Sequence, residues 1–252
     1  MSVYKTEALA LRLLPFEETS GLATLLTRER GKVKAVAKGI RRPQSSLAAA
    51  VQPGSYSLVS IAPGRNLDVL TQARLLDSFA GLRTNLLRLA HAVHVLELLD
   101  LTTPLGQADA ALFDLAVQVM RTLAETAEPA AVLAVLQVHL LHSHGVPMAL
   151  DRCGACGAAI QPEARQFSIS RGGRMCRKCA RTTPDAFGLT PALLAELARL
   201  DAAVGKGPES WPKPVTHALR RVLDRFVAYH LSVEPRSARF LQTATAPTKK
   251  RP

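Results

Sequence analysis

Cys153 to Cys179 reads CGACGAAIQPEARQFSISRGGRMCRKC and holds all four cysteines of the chain. Two Cys-x-x-Cys pairs, Cys153/Cys156 and Cys176/Cys179, stand nineteen residues apart. Each pair can turn two thiolates toward one point, and four thiolates at tetrahedral geometry suit a single Zn²⁺. Between the pairs, Gln166–Ser170 alternates as a short strand does, and Gly172-Gly173 supplies a hairpin turn. That is the layout of a four-cysteine zinc ribbon. Four cysteine ligands leave no coordination position for water, so the metal is expected to be structural. The competing readings are two disulfides, which need an oxidising compartment, and a redox pair, which needs a βαβ setting. The N-terminal MSVYKTEALALRLL carries no secretory pattern, and no βαβ unit is visible.

Working outward, residues 1–77 read as β. Ala8–Leu14, Leu22–Thr27, Lys32–Lys38, Ser57–Ile61 and Leu67–Leu75 are five short strand patterns, with turn signals at Arg28–Gly31 and Pro63-Gly64. That spacing suits a small closed barrel such as an OB-fold. Leu47–Val51 reads either as a short helix or as a mobile loop. From Ser78 the apolar period lengthens to three and four, and helices are expected through 78–150 and again through 185–241, where Thr190-Pro191 is a start signal. The expected architecture is α+β and multi-domain: an OB-fold barrel over 1–77, a helical domain over 78–150 and 185–241, a four-cysteine zinc ribbon inserted at 151–184, and a disordered basic tail over 242–252. Pro129–Leu150 is uncharged over twenty-two residues, but Gln137, three histidines, Gly145 and Pro147 mark it as a buried helix and not a membrane span.

The chain has 252 residues and a net charge of +12, unevenly placed. Residues 1–80 hold eleven Lys+Arg against six Asp+Glu, 81–150 three against six, and 151–252 eighteen against eight. Segregated cations are the electrostatic footprint of nucleic-acid binding. The sharpest cluster is Arg28, Arg30, Lys32, Lys34, Lys38, Arg41 and Arg42, opposed by Glu29 alone. Lys32, Lys34 and Lys38 share one strand face. They read either as a phosphate track or as a solvated face guarding a sheet edge; continuation through Arg41-Arg42 favours the track. The ribbon adds Arg171, Arg174, Arg177 and Lys178 as candidate DNA contacts, with Arg152, Arg165 and Arg181 nearby. Aromatic platforms for base stacking are scarce in the barrel region, so binding should rest on phosphates and discriminate weakly between single and double strands. No phosphate-cradling loop, nucleophile elbow or paired-carboxylate motif is present, and no catalytic residue is assigned.

Three stretches, in this order, carry a family resemblance: AKGIRRPQSSLAAAVQPGSY (Ala37–Tyr56), the CGAC…SISRGGRMCRKC ribbon, and FVAYHLSVEPRSARFL (Phe226–Leu241). With the helical middle, the chain resembles the RecO family of bacterial recombination and DNA-repair proteins over nearly its whole length. The resemblance implies a non-enzymatic protein that binds single- and double-stranded DNA and anneals complementary strands. It implies RecR as partner, loading of RecA onto single strands coated by single-stranded DNA-binding protein (SSB), contact with the SSB C-terminal tail, and a cytoplasmic, nucleoid-associated location. It places DNA contacts at Lys32, Lys34, Lys38, Arg41 and Arg42 and metal at the four cysteines. Zinc ligands are not kept across that family, so zinc is not expected to be the source of annealing. Two other classes stand beside it: an adaptor whose basic faces hold acidic proteins, and a metal-dependent nucleic-acid enzyme.

Overall fold

The computed structural model describes residues 2–42 and 45–245. Contacts divide the chain into two compact units, 1–127 with 235–252, and 128–234.

The first unit is built on a closed five-stranded barrel. Its strands are β1 (Tyr4–Phe16), β2 (Ser20–Thr27), β3 (Gly31–Ala37), β4 (Tyr56–Ala62) and β5 (Asp68–Asp77), in spatial order β1-β2-β3-β5-β4 with β4 closing on β1. All pairings are antiparallel except β3 with β5. This is the OB-like barrel expected from the strand spacing. Small residues make its interior: Ala8, Ala10, Ala23, Ala35 and Ala37 pack with Leu25, Val59, Ile61 and Leu70. A narrow barrel has no room for more. The alternation in β3 falls as expected, with Val33, Ala35 and Ala37 on the core and Lys34 and Lys38 exposed.

The ambiguous Leu47–Val51 stretch resolves as a single 3-10 turn, Ala49–Val51. Leu47 and Val51 join the barrel core, and Ser57 Oγ donates to the Ala50 carbonyl. Pro43 and Gln44, next in sequence to Arg41-Arg42, lie outside the described residues.

Two helices follow the barrel, α1 (Leu86–Thr102) and α2 (Ala110–Glu125). Each starts on a side-chain cap: Asn85 accepts from the Leu87 and Arg88 amides, and Asp109 from Leu112. Arg88 donates to the carbonyls of Ala124, Glu125 and Thr126, which ties the open end of α2 to α1. The loop between them braces the barrel. Gly31 sits at φ +64°, where a Cβ would lie 1.9 Å from the Gln107 carbonyl oxygen, so only glycine fits that turn. The Gly106 amide donates to the Lys32 carbonyl at 2.9 Å.

A last helix, the third element of this unit's helical layer, spans Ser237–Thr245 and packs on α1. It extends through Gln242–Thr245, part of the stretch read as a disordered tail; residues 246–252 lie outside the described residues.

The second unit centres on α3 (Pro129–Ser143), whose residues 131–138 are all buried. Being apolar on every side, α3 is a core helix; no helix among the described residues is long and apolar enough to cross a membrane. The four-cysteine segment follows, with β6 (Gln166–Ser168), β7 (Gly173–Arg174), α4 (Arg177–Ala180) and β8 (Phe187–Gly188). Its strands form a small sheet in the order β7-β6-β8. Then come α5 (Pro191–Asp201), capped by Thr190, and α6 (His217–His230), capped by Thr216. The Ser237–Thr245 helix is therefore α7. The sheet is anchored to α6 through Phe167, buried 5.8 Å from the Phe187 ring and 6.0 Å from the Phe226 ring. Gln137 donates to Asp224 at 2.8 Å and His142 lies 2.6 Å from Asp201, which fixes α3 against α6 and α5. The helices thus fall in both units: α1, α2 and α7 with the barrel, and α3, α5 and α6 with the cysteine segment.

Candidate nucleic-acid interface and metal site

The two Cys-x-x-Cys turns meet. All four Sγ atoms of Cys153, Cys156, Cys176 and Cys179 lie within 4.8 Å of one another, and Cys156 and Cys176 are 4.0 Å apart. Four ligands about 2.3 Å from one ion sit about 3.8 Å from each other, so the donor set fits a tetrahedral metal. It is too open for disulfides, whose sulfurs are about 2 Å apart. Among the described residues this is the one group of three or more His, Cys, Asp or Glu side chains placed to hold a metal ion.

The backbone prepares one of the thiols for ionisation. Burial opposes a negative charge on Cys153, but N–H groups of Cys176, Cys156 and Ala155 converge on its sulfur and prevail, drawing it down to about 6. Cys179, hydrogen-bonded to the Cys176 and Cys156 thiols, is pushed up to about 12. One sulfur gives up its proton readily, and the remaining protons leave when a cation replaces them.

A second anchor holds the hairpin beside the cysteines. Asp185 accepts from Ser168 Oγ at 2.7 Å and from the Ser170 amide and hydroxyl at 2.8 Å. Burial alone would raise its carboxyl, but these donors pull it down to about 2.

The structure sorts the cations into committed and uncommitted groups. Lys32 donates to the Asp100 backbone carbonyl and lies 3.4 Å from its carboxylate. Arg28 pairs with Glu7 at 3.4 Å and Asp114 at 2.9 Å. Arg30 sits over the Tyr4 ring, 4.9 Å from its centroid. Arg174 donates to the carbonyls of Leu150, Gln161, Pro162 and Ala164 at 2.7–3.3 Å, so its guanidinium is a brace inside the segment.

Lys34, Lys38, Arg41 and Arg42 are exposed, and none of them is in an ion pair among the described residues; Arg41 makes one long contact, 3.5 Å to the Glu18 carbonyl. Lys38 and Arg42 border an open depression of about 590 Å³ with Ser45, Ser46 and Thr71. In the cysteine segment Arg171, Arg177 and Lys178 are likewise exposed and in no ion pair. Residues that motif reading passed over are Asp100, Asp114 and Asp185. Each meets its partner across 15 to 86 residues of chain, and no local spacing marks such a pair.

An OB-like barrel, a helical region and a four-cysteine cluster able to hold a metal together define a modular protein of barrel, helices and metal knuckle. The family model "Recombination protein O N terminal" matches residues 1–79, and "Recombination protein O C terminal" matches residues 83–239. A DNA repair protein RecO from Desulforudis audaxviator is 34% identical over 252 residues, 96% of this chain and 97% of that one. The DNA repair protein RecO of Bacillus pumilus is 32% identical over 94% of this chain and 93% of its own. The corresponding protein of Pelotomaculum thermopropionicum is 32% identical over 96% of this chain and 94% of its own. The chain belongs to the RecO family of DNA repair proteins.

Proposed function

We propose that this protein binds single- and double-stranded DNA and anneals complementary strands without covalent chemistry. It acts with RecR to load RecA onto SSB-coated single strands, touches the SSB tail, and works in the bacterial cytoplasm at the nucleoid. The observation that carries the reading is the set of exposed cations Lys34, Lys38, Arg41 and Arg42 on β3 and the loop after it, none of them in an ion pair among the described residues. Two DNA strands repel while they search for register. A cationic surface screens that repulsion and, since its contacts are exchangeable with salt, lets go again. Annealing needs this and no proton transfer or nucleophile.

The cysteine cluster holds one structural Zn²⁺, which contributes folding energy to a segment too small to bury a core of its own. Family membership supports the DNA-repair setting, and the closed thiolate shell supports a structural metal. Exposed Arg171, Arg177 and Lys178 add phosphate-binding cations on the second unit. Lys32, Arg28, Arg30 and Arg174 serve chiefly to hold the fold. The test is annealing of complementary oligonucleotides by the Lys34→Glu, Lys38→Glu, Arg41→Glu, Arg42→Glu variant. Annealing and binding should disappear with the thermal transition retained; undiminished annealing refutes the reading.

A further inference from the structure

We propose that the cleft beside α4 receives an unstacked base of single-stranded DNA, with the neighbouring phosphates on Arg165, Arg177 and Arg181. This rests on the nucleic-acid reading above and goes beyond it, because it gives the protein a means of telling a single strand from a duplex. The cleft lies wholly within the cysteine segment and encloses about 640 Å³, in the range of small-molecule sites. Ile160, Met175 and Ala180 line it with apolar atoms, and Met175 is fully buried. The three arginines that border it are exposed and belong to no ion pair among the described residues, against one acid, Glu163.

An apolar floor ringed by cations selects a ligand with flat apolar groups strung on negative charge. A single strand is such a ligand, since its bases are free to leave the stack while its phosphates stay within reach. A duplex offers the same phosphates but keeps its bases paired, and extracting one is costly. The cleft has no aromatic platform. Planar guanidinium groups also make favourable contacts with an aromatic face, and the rim arginines supply them.

An acidic peptide with apolar side chains would satisfy the same lining. The cations favour nucleic acid because they continue past the cleft, through Arg152, bridged to the cleft residue Ala159, and Lys178, next to Arg177, both exposed and in no ion pair among the described residues. That is a track for a linear polyanion and not a single docking spot.

The experiment compares affinities of the full chain for a single-stranded oligonucleotide and its duplex at one salt concentration. Ala180→Leu fills the cleft, and Arg177→Ala with Arg181→Ala strips its rim; metal content per chain and the thermal transition report folding. Ala180→Leu should weaken binding roughly tenfold on the single strand and at most about twofold on the duplex; the arginine pair, whose phosphates a duplex also offers, should weaken both forms, the single strand more. Equal weakening on both forms would overturn the proposal. On the unaltered protein, a single strand carrying 5-iodouracil should photo-cross-link within 159–181, and cross-links confined elsewhere would also overturn it. So would displacement of an acidic, apolar-ended peptide by Ala180→Leu while single-strand affinity stays unchanged. Failure of the barrel reading looks different: the barrel charge reversals would then spare both DNA forms, whatever the cleft variants do.

Discussion

Lys32 Nζ lies 3.4 Å from the carboxylate of Asp100, and their side chains are only 11% and 14% exposed. Arg12 shares the same carboxylate at 3.3 Å. Asp100 is therefore a tie between barrel and α1, and Lys32 is a structural lysine set in a row with the exposed Lys34 and Lys38. Asp100→Ala removes the partner of a largely covered ammonium and should cost about 2 kcal/mol. At about 2–4 °C per kcal/mol for a chain of this size, that is a visible drop in the thermal transition. Lys32→Ala should likewise lower the transition, while Lys34→Ala should leave it in place. Equal stability of the two lysine variants would show that the tie contributes nothing.

The same sorting of cations makes a prediction about salt. Removing one phosphate-binding cation flattens the dependence of log affinity on log salt by about 0.7 on single strands and about 0.9 on duplex. Lys34→Ala, Lys38→Ala, Arg41→Ala and Arg42→Ala should each show that change in a binding titration repeated at several salt concentrations. Lys32→Ala and Arg174→Ala should not, because their charges are already answered within the fold.

Chelation should have a local and a pH-linked signature. Removing a bound metal takes away the one link that joins all four cysteines and leaves Cys153–Cys179 to the Arg174 brace, the Phe167 contacts and the Asp185 hydrogen bonds. Amide protection in β6 and β7 should fall, while that of the barrel should not. Every thiol must give up its proton to bind, so affinity should weaken as pH falls, and metal uptake should release protons. With Cys153 near 6 and Cys179 near 12, at neutral pH Cys179 contributes a full proton to the release and Cys153 little. Uptake of zinc with no proton release, measured in weak buffer by pH indicator, would contradict this.

Much of this was legible in local sequence, for a physical reason. Two Cys-x-x-Cys turns can point only one way, and a strict alternation such as Val33, Ala35, Ala37 can put only one face on a core. The OB-like barrel, the cysteine cluster and the Thr190-Pro191 helix start follow from such short-range constraints. What was not legible depends on pairs distant along the chain. Nothing near Lys32 announces Asp100, and nothing near Arg174 shows that four carbonyls will surround it. The seven-cation cluster looked uniform because charge is a property of residues, whereas availability is a property of the fold. The helices, too, all carry apolar faces, and an apolar face does not say which partner covers it; hence their division between the two units.

The last helix is held at its start by α1. The Glu97 carboxylate accepts from the amides of Arg236 at 3.0 Å and Ser237 at 2.8 Å, and Ser237 Oγ lies 2.8 Å from His94 Nδ1. A carboxylate on the first free amides of a helix is a cap supplied from another element. Burial opposes the charge on Glu97, but the Ser237 and Arg236 donors outweigh it and hold the carboxyl below its ordinary 4.5. Glu97→Ala should weaken docking of Ser237–Thr245 by about 1 kcal/mol, the usual worth of a cap. Local opening then rises about fivefold, and tryptic cleavage after Arg236 or Arg239 should quicken by that factor at neutral pH. Because the folded carboxyl is the stronger acid, its contribution is complete above 4.5 and fades as pH drops below it. Amide exchange of residues 237–245, corrected for intrinsic rates, should show protection that is flat from about pH 7 down to about 5 and then declines. The Glu97→Ala variant should show no such decline, and matching pH profiles for the two proteins would place the hold on α7 elsewhere.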